Sequence, residues 1–159
     1  MHMSKSIKAV ASVVFLLATS AMATEAVLEC SGSFSYCSNY SDGNVRCDVP
    51  KPQITVVAIE GNSISQVDGA GFLTFKDTCE TEESNIQCSE MTTFGTSIPA
   101  SEEKGKRNLT LYRTTGRLDW TYESTYGPEH SVRKRGLGIT GKSNKYQAQC
   151  KVREHRNLF

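Results

Sequence analysis

The sequence lacks the short motifs that mark the common enzyme classes. It has no Gly-x-Ser-x-Gly nucleophile turn, no glycine-rich phosphate-binding loop and no His-Glu-x-x-His zinc motif. It has only three histidines, His2, His130 and His155, and no Cys-x-x-Cys pair, so neither residue type shows the spacing of a zinc site. We therefore expect no metal and no cofactor, and the missing motifs favour a binding role over catalysis.

The sequence also lacks an apolar run long enough to cross a bilayer near its N-terminus. The apolar stretch over residues 9–18 is interrupted by a single serine and is about half of the roughly 20 residues that a membrane anchor needs. Lys5 and Lys8 precede this stretch and small residues at 21–23 follow it, which is the layout of a secretory signal peptide of bacterial style. We expect residues 1–23 to be removed, leaving a periplasmic or secreted chain without a transmembrane segment.

A strong net charge of either sign is missing as well. The full chain carries 18 basic and 17 acidic residues, and residues 24–159 alone carry 16 and 17, a net charge of −1. This balance gives no general reason to expect binding to nucleic acid or membranes. The charge is uneven, however, because residues 24–103 have a balance of −10 and residues 104–159 a balance of +9. Either the two halves lie together and neutralise each other, or the second half presents a basic face.

Cysteine is the residue that the sequence does supply, with all six copies in the part that follows the signal peptide. An even number of cysteines in an oxidising compartment predicts disulfides. Two pairs are close in sequence and suit local loops, and the remaining two cysteines lie on the first and last predicted strands. The predicted pairs are Cys37–Cys47, Cys79–Cys88 and Cys30–Cys150.

Alternation of apolar and polar residues is the dominant pattern after residue 23. Leu118, Trp120 and Tyr122 alternate with polar residues, as expected for a half-buried strand. A similar strand precedes them, and a turn containing Gly116 lies between, so residues 108–123 predict a β-hairpin. The same pattern predicts an N-terminal strand containing Cys30 and a C-terminal strand containing Cys150.

Weaker patterns complete the predicted fold. Strands are expected at 54–60, 64–67, 72–76 and 85–94, with an irregular one at 132–140, and flexible loops at 38–46, 97–107 and 124–130. Residues 24–159 show no repeat and no linker, so they predict a single domain. About seven to nine short strands joined by turns predict an all-β domain, an antiparallel barrel or sandwich stapled by disulfides.

The candidate binding surface is the segment 124–142 in the basic half of the chain. Its cationic residues are Arg133, Lys134, Arg135 and Lys142, and the basic face would extend to Lys145, Lys151 and Arg153. Three consecutive cations make a shorter run than the usual nucleic-acid patch. Because recognition residues tend to lie on loops of a rigid scaffold, we expect a binding or inhibitor module for an envelope protein or an anionic ligand.

Two other functions stay open. Small secreted ribonucleases combine a carboxylate base, a histidine acid and an arginine that stabilises the transition state. Residues of these types are present as Glu123, Glu129, His130, His155 and Arg133. The third possibility is a structural component of the cell envelope that assembles with itself or with larger partners.

Two segments resemble a known group of proteins. Residues 109–118 read Leu-Thr-Leu-Tyr-Arg-Thr-Thr-Gly-Arg-Leu and residues 146–150 read Tyr-Gln-Ala-Gln-Cys, which is similar to small exported proteobacterial β proteins of unassigned function. This resemblance implies no activity. In size, export and disulfides the chain is also similar to the periplasmic lysozyme inhibitors, which are small β-barrels, although it has no inhibitory loop motif that could be transferred.

Overall fold

The computed structural model describes residues 26–68, 71–94 and 101–153. The signal peptide expected at 1–23 lies outside these residues. The described residues form nine strands and one helical turn, in the order β1 Ala26–Tyr40, β2 Val45–Cys47, β3 Lys51–Glu60, β4 Ser63–Gln66, β5 Cys79–Thr81, β6 Asn85–Phe94, β7 Glu103–Tyr112, β8 Arg117–Tyr126, α1 Ser131–Lys134 and β9 Ile139–Val152. The expected all-β class is confirmed.

The strands form one antiparallel sheet that curls into a nearly closed barrel. The order is β4-β3-β1-β9-β8-β7-β6-β5. β3 pairs with the first part of β1, and the short strand β2 pairs with its last part. Because β1 pairs with β9, the first and last strands are neighbours. The remaining gap between β4 and β5 is narrowed by a bridge between Ile64 and Phe75 and by a hydrogen bond of 3.1 Å from the Cys79 amide to the Asn62 carbonyl. A barrel, rather than a sandwich, is therefore the architecture.

Strict alternation explains the clearest strands. On β8 the side chains of Leu118, Trp120 and Tyr122 are buried, whereas Arg117 and Glu123 are exposed. β7 and β8 pair as a hairpin from Leu111 opposite Leu118 onward, which confirms the predicted hairpin. Gly116 closes the turn with a φ of 70°, a conformation that glycine adopts without a steric penalty.

The three disulfides are those predicted, Cys30–Cys150, Cys37–Cys47 and Cys79–Cys88, and no cysteine in the described residues is free. Each bond joins two residues that stand directly opposite each other on neighbouring strands. The bond between Cys30 and Cys150 connects β1 to β9 and thereby fastens the first and last strands of the chain, which are neighbours inside the sheet.

Aromatic rings fill the middle of the barrel. Phe72 lies in the segment between β4 and β5, and its ring centroid is 4.9 Å from that of Trp120, 5.3 Å from that of Phe34 and 5.5 Å from that of Tyr146. Tyr146 is fully buried, and its hydroxyl donates to the carbonyl of Cys30 at 3.0 Å. This aromatic layer, Phe34, Phe72, Trp120 and Tyr146, separates two ends of the barrel that differ in chemistry.

Three predicted loops were wrong in part, because strands continue into them. β1 runs to Tyr40 and β2 begins at Val45, inside the loop expected at 38–46. β8 continues to Tyr126, inside the loop expected at 124–130. β7 begins at Glu103, inside the loop expected at 97–107, of which residues 97–100 lie outside the described part. In β7 the inward positions hold paired polar side chains, so the start of the strand lacks an apolar pattern.

Two predicted strands were also wrong. Residues 72–76 contribute one β-bridge at Phe75 and otherwise form turns, because Phe72 and Leu73 turn inward to fill the core. The segment 132–140 begins as the helical turn α1, in which the His130 side chain accepts from the Val132 amide, and β9 starts only at Ile139.

Candidate functional site

The four cationic residues of the predicted binding surface do not share one environment. Arg133, Lys134 and Arg135 are exposed on and beside α1. Arg133 donates to the Tyr126 carbonyl at 3.3 Å, and Lys134 forms an ion pair with a glutamate. Lys142 instead points into the barrel. The first three therefore offer a small basic surface, and the assignment of a binding role to all four residues stays a prediction.

Ion pairs between strands favour neutralisation of the two oppositely charged halves. Lys142 Nζ lies 2.9 Å from Glu103 Oε1, and Arg107 Nε donates to Glu90 at 2.8 Å. Lys151 Nζ lies 3.3 Å from a carboxylate oxygen of Glu29. In each of these pairs the acid comes from residues 24–103 and the base from residues 104–159.

The residues considered for ribonuclease chemistry do not gather at one point. His130 stacks on the inward-facing ring of Tyr126, with centroids 4.2 Å apart. Glu123 lies on the opposite face of β8, because it is an odd number of residues from Tyr126. Glu129 forms the ion pair with Lys134, and His155 lies outside the described residues.

A buried polar cluster occupies the end of the barrel where β7 begins. The Tyr122 hydroxyl donates to Glu103 Oε1 at 2.6 Å, and Lys142 Nζ lies 5.2 Å above the Tyr122 ring. Burial raises the pKa of Glu103, but hydrogen bonds from Tyr122 and Lys142 outweigh it, so the net pKa is lowered. Burial, followed by the bond to Glu103, raises the pKa of Tyr122, which keeps its hydroxyl as a donor. The carboxylate, the phenol and the ammonium group pair with one another, so the cluster resembles a structural network more than a reaction centre.

A different site lies at the opposite end, where β1 begins and β9 ends. This end, called the mouth, contains a pocket of about 620 Å³. Buried aliphatic side chains and a disulfide sulfur form its floor, from Leu28, Ile86, Leu111 and Cys150. Its walls and rim are formed by Ala26, Ile59, Gly61, Thr81, Tyr112, Arg113, Thr115, Gly116 and Val152. The pocket is therefore apolar inside, with few polar groups at its rim.

The rim of the mouth is held in place by backbone hydrogen bonds. The amide of Arg113 donates to the Ser84 carbonyl at 2.9 Å, and the amide of Cys150 donates to the Gly116 carbonyl at 2.8 Å. The Arg113 guanidinium donates to the Glu82 carbonyl at 3.3 Å, which ties the side chain to the neighbouring hairpin. A guanidinium has five N–H donors, so Arg113 retains donors for a ligand.

Sequence reasoning missed this pocket. The alternation pattern predicted that the floor residues Leu28, Leu111 and Cys150 face the core, but it carries no signal that no element of the described residues covers this end of the barrel. The polar residues Glu103 and Tyr122 were also missed as a pair, because they lie 19 residues apart and meet only through the register of β7 and β8.

The described residues contain neither a cluster of metal-ligand residues nor a membrane-spanning helix. They contain no group of three or more His, Cys, Asp or Glu placed to hold a metal ion. None of the helical segments in the described ranges is long and apolar enough to span a bilayer. Comparison with protein-family models, with curated proteins and with solved structures found no match to this chain.

Proposed function

We propose that this protein is an exported binding module that holds a small, mainly apolar molecule in the mouth of its barrel. The observation that carries the proposal is the pocket of about 620 Å³, floored by aliphatic side chains, at an end of the barrel. Ligand pockets in proteins usually measure about 300–1,000 Å³, have apolar linings with a few polar groups, and occur in the mouths of β-barrels.

The size of the pocket sets the range of affinity. A ligand that buries about 300 Å² of apolar surface gains about 7–8 kcal/mol at about 25 cal/mol per Å². Association and ordering oppose this gain with a cost of several kcal/mol. We therefore expect dissociation constants in the micromolar range or weaker for ligands that use apolar contact alone, and tighter binding for those that also engage Arg113.

Arg113 indicates which polar group the ligand carries. It is the one charged side chain that lines the described pocket, and its guanidinium suits a carboxylate, sulfonate or phosphate oxygen. The ligand class that fits is an apolar body with one anionic or carbonyl group at the solvent-facing end.

The cellular setting belongs to the same proposal. A chain with a bacterial-style leader and three disulfides suits the periplasm or the cell exterior, where thiols are oxidised. The exposed cations Arg133, Lys134 and Arg135 supply a separate surface on which an envelope protein or anionic component could dock. An inhibitor role would use that surface, rather than the mouth.

The test uses anilinonaphthalene sulfonate, a fluorescent probe with an apolar body and one sulfonate. We expect saturable binding at one site. Val152→Glu places a charge in the mouth and should weaken binding at least tenfold. Ile54→Glu is the matched control, because Ile54 is a β-branched strand residue of similar exposure, 64% against 69%, outside the pocket.

A second variant tests the role of the rim. Arg113→Gln should weaken binding of the sulfonate probe and leave binding of an uncharged apolar dye nearly unchanged. If the Val152→Glu and Ile54→Glu variants bind the probe with equal affinity, the mouth is excluded as the ligand site. Near-ultraviolet circular dichroism of each variant confirms that the fold is intact, because partly unfolded proteins also bind this probe.

A further inference from the structure

Strand β6 has a partner along only part of one edge. β7 pairs with it over its full length, whereas β5 covers only Ile86, Gln87 and Cys88. The next residue, Ser89, donates its amide to the Thr78 carbonyl at 3.4 Å. From Glu90 to Phe94, no residue of the described ranges pairs with this edge. It is called the open edge below.

The bond from Ser89 shows which backbone groups the open edge presents. In an antiparallel sheet, successive residues direct their N–H and C=O groups alternately to the two neighbouring strands. The Ser89 amide points away from β7, so Met91 and Thr93 also direct their backbone groups outward. Thr92, between them, bonds to β7. The open edge therefore offers two free donors and two free acceptors.

The open edge is short and includes Glu90, but it lacks lysine, proline and a bulge. Natural edge strands are blunted by lysine, proline, bulges or short length. Residues 90–94 read Glu-Met-Thr-Thr-Phe, pair with β7 without a bulge, and include Met91 and Phe94, which are 72% and 56% exposed. The strand edge that faces the same gap, formed by β2 and the start of β3, carries Arg46, Lys51 and Pro52.

We propose that the open edge pairs with the same edge of a second copy of this chain, antiparallel and centred on Thr92. In this register Met91 stands opposite Thr93 of the second copy, and the reverse pair follows from the two-fold axis. All free groups of Met91 and Thr93 are then used, which makes four hydrogen bonds between the copies. The open edges complete each other and the two barrels share one continuous sheet.

Charge permits this register. Glu90 stands opposite Phe94 of the second copy, so no like charges face each other across the new pair. Lys104 and Lys106 lie on β7, and their counterparts in the second copy are three strand spacings away, about 14 Å. That distance exceeds the Debye length of about 8 Å at physiological ionic strength, so their repulsion is largely screened.

The dimer is independent of the proposed ligand site. The mouth lies at the start of β6, beside Ile86, whereas the open edge lies at its other end. Both mouths stay open in the paired form. Self-association also supplies a physical basis for the structural envelope role. If the protein does not dimerise, ligand binding in the mouth is unaffected. Because the shared edge is short, the dimer should be reversible and depend on concentration.

Sedimentation velocity over a wide concentration range tests the proposal. The oxidised wild-type protein should approach twice the monomer mass as its concentration rises. Met91→Lys places a charge on the open edge and should keep the protein monomeric. Thr93→Pro removes an outward donor without removing a bond to β7 and should do the same. Leu137→Lys, at a residue 60% exposed and outside the edge, should behave like the wild type.

A cysteine crosslink tests the strand register of the proposed dimer. Thr92 of each copy would stand opposite the other as a pair without direct hydrogen bonds, where Cα atoms are about 4.5 Å apart and a disulfide can form. Thr92→Cys should therefore crosslink the dimer, whereas Thr121→Cys, on the interior strand β8, should not. A wild type that stays monomeric at every concentration, or edge variants that still dimerise, would overturn the proposal. Crosslinking by both cysteine variants alike would overturn the register.

Discussion

The bond between Cys30 and Cys150 should contribute more to stability than either of the other two disulfides. It spans 120 residues of sequence, against 10 and 9 for the local bonds. In the chain-entropy relation, removing this bond increases the conformational entropy of the unfolded chain and lowers the free energy of unfolding by about 5 kcal/mol. Removing a local bond lowers it by about 2.7 kcal/mol. Both of its cysteines are also buried in the core, so the double alanine variant loses packing as well.

Urea denaturation of three double alanine variants measures this ranking. With a slope of about 2 kcal/mol/M, the midpoint should fall by about 2.5 M for Cys30→Ala/Cys150→Ala and by about 1.3 M for Cys37→Ala/Cys47→Ala. A domain of ordinary stability has about 5–15 kcal/mol, so the first variant could populate the unfolded state without denaturant. A midpoint that falls no further in the first variant than in the second would show that loop length does not determine the contribution of these disulfides.

The polar end of the barrel allows two further predictions. Gly105→Ala would place Cβ 2.5 Å from the Tyr122 ring, and such overpacking should lower stability by about 1–3 kcal/mol; an unchanged urea midpoint would contradict the packing. The folded-state pKa of Glu103 is below its ordinary value of 4.5, so its contribution to stability is complete above pH 4.5 and is lost as the pH falls through the lower value. Glu103→Gln should flatten the stability profile below pH 4.5, and identical acid slopes in variant and wild type would exclude this role.

The parts of the fold that follow from local pattern were predictable from the sequence. β8 buries Leu118 and Trp120 on one face and exposes charged residues on the other, so its period of two is visible in the residues themselves. The disulfides were predictable for the same reason. Alternation places Cys30 and Cys150 on buried faces, and the other cysteines are near in sequence.

The start of β7 could not be predicted, because its inward positions carry Glu103, Gly105 and Arg107. Each polar side chain there is neutralised by a partner on another strand, and Gly105 leaves room for the Tyr122 ring. A polar residue that becomes buried through pairing has the same sequence signature as one in a solvated loop. Only the register between strands separates the two.

The candidate site was hidden for a related reason. The mouth is a gap between strand ends from five parts of the chain, so no local segment contains it. The inward position of Lys142 could not be predicted from the local sequence either. It was grouped with Arg133 by sequence proximity and sign of charge, but strand alternation directs it inward to Glu103.

The aromatic layer lies between the mouth and the polar cluster of Glu103 and Tyr122. The rings of Phe34, Phe72 and Trp120 are in mutual contact across the interior, with Tyr146 against Phe72. A guest in the mouth is therefore separated from Glu103 by these rings, and we expect its rate of release to depend on the residues at the rim of the mouth.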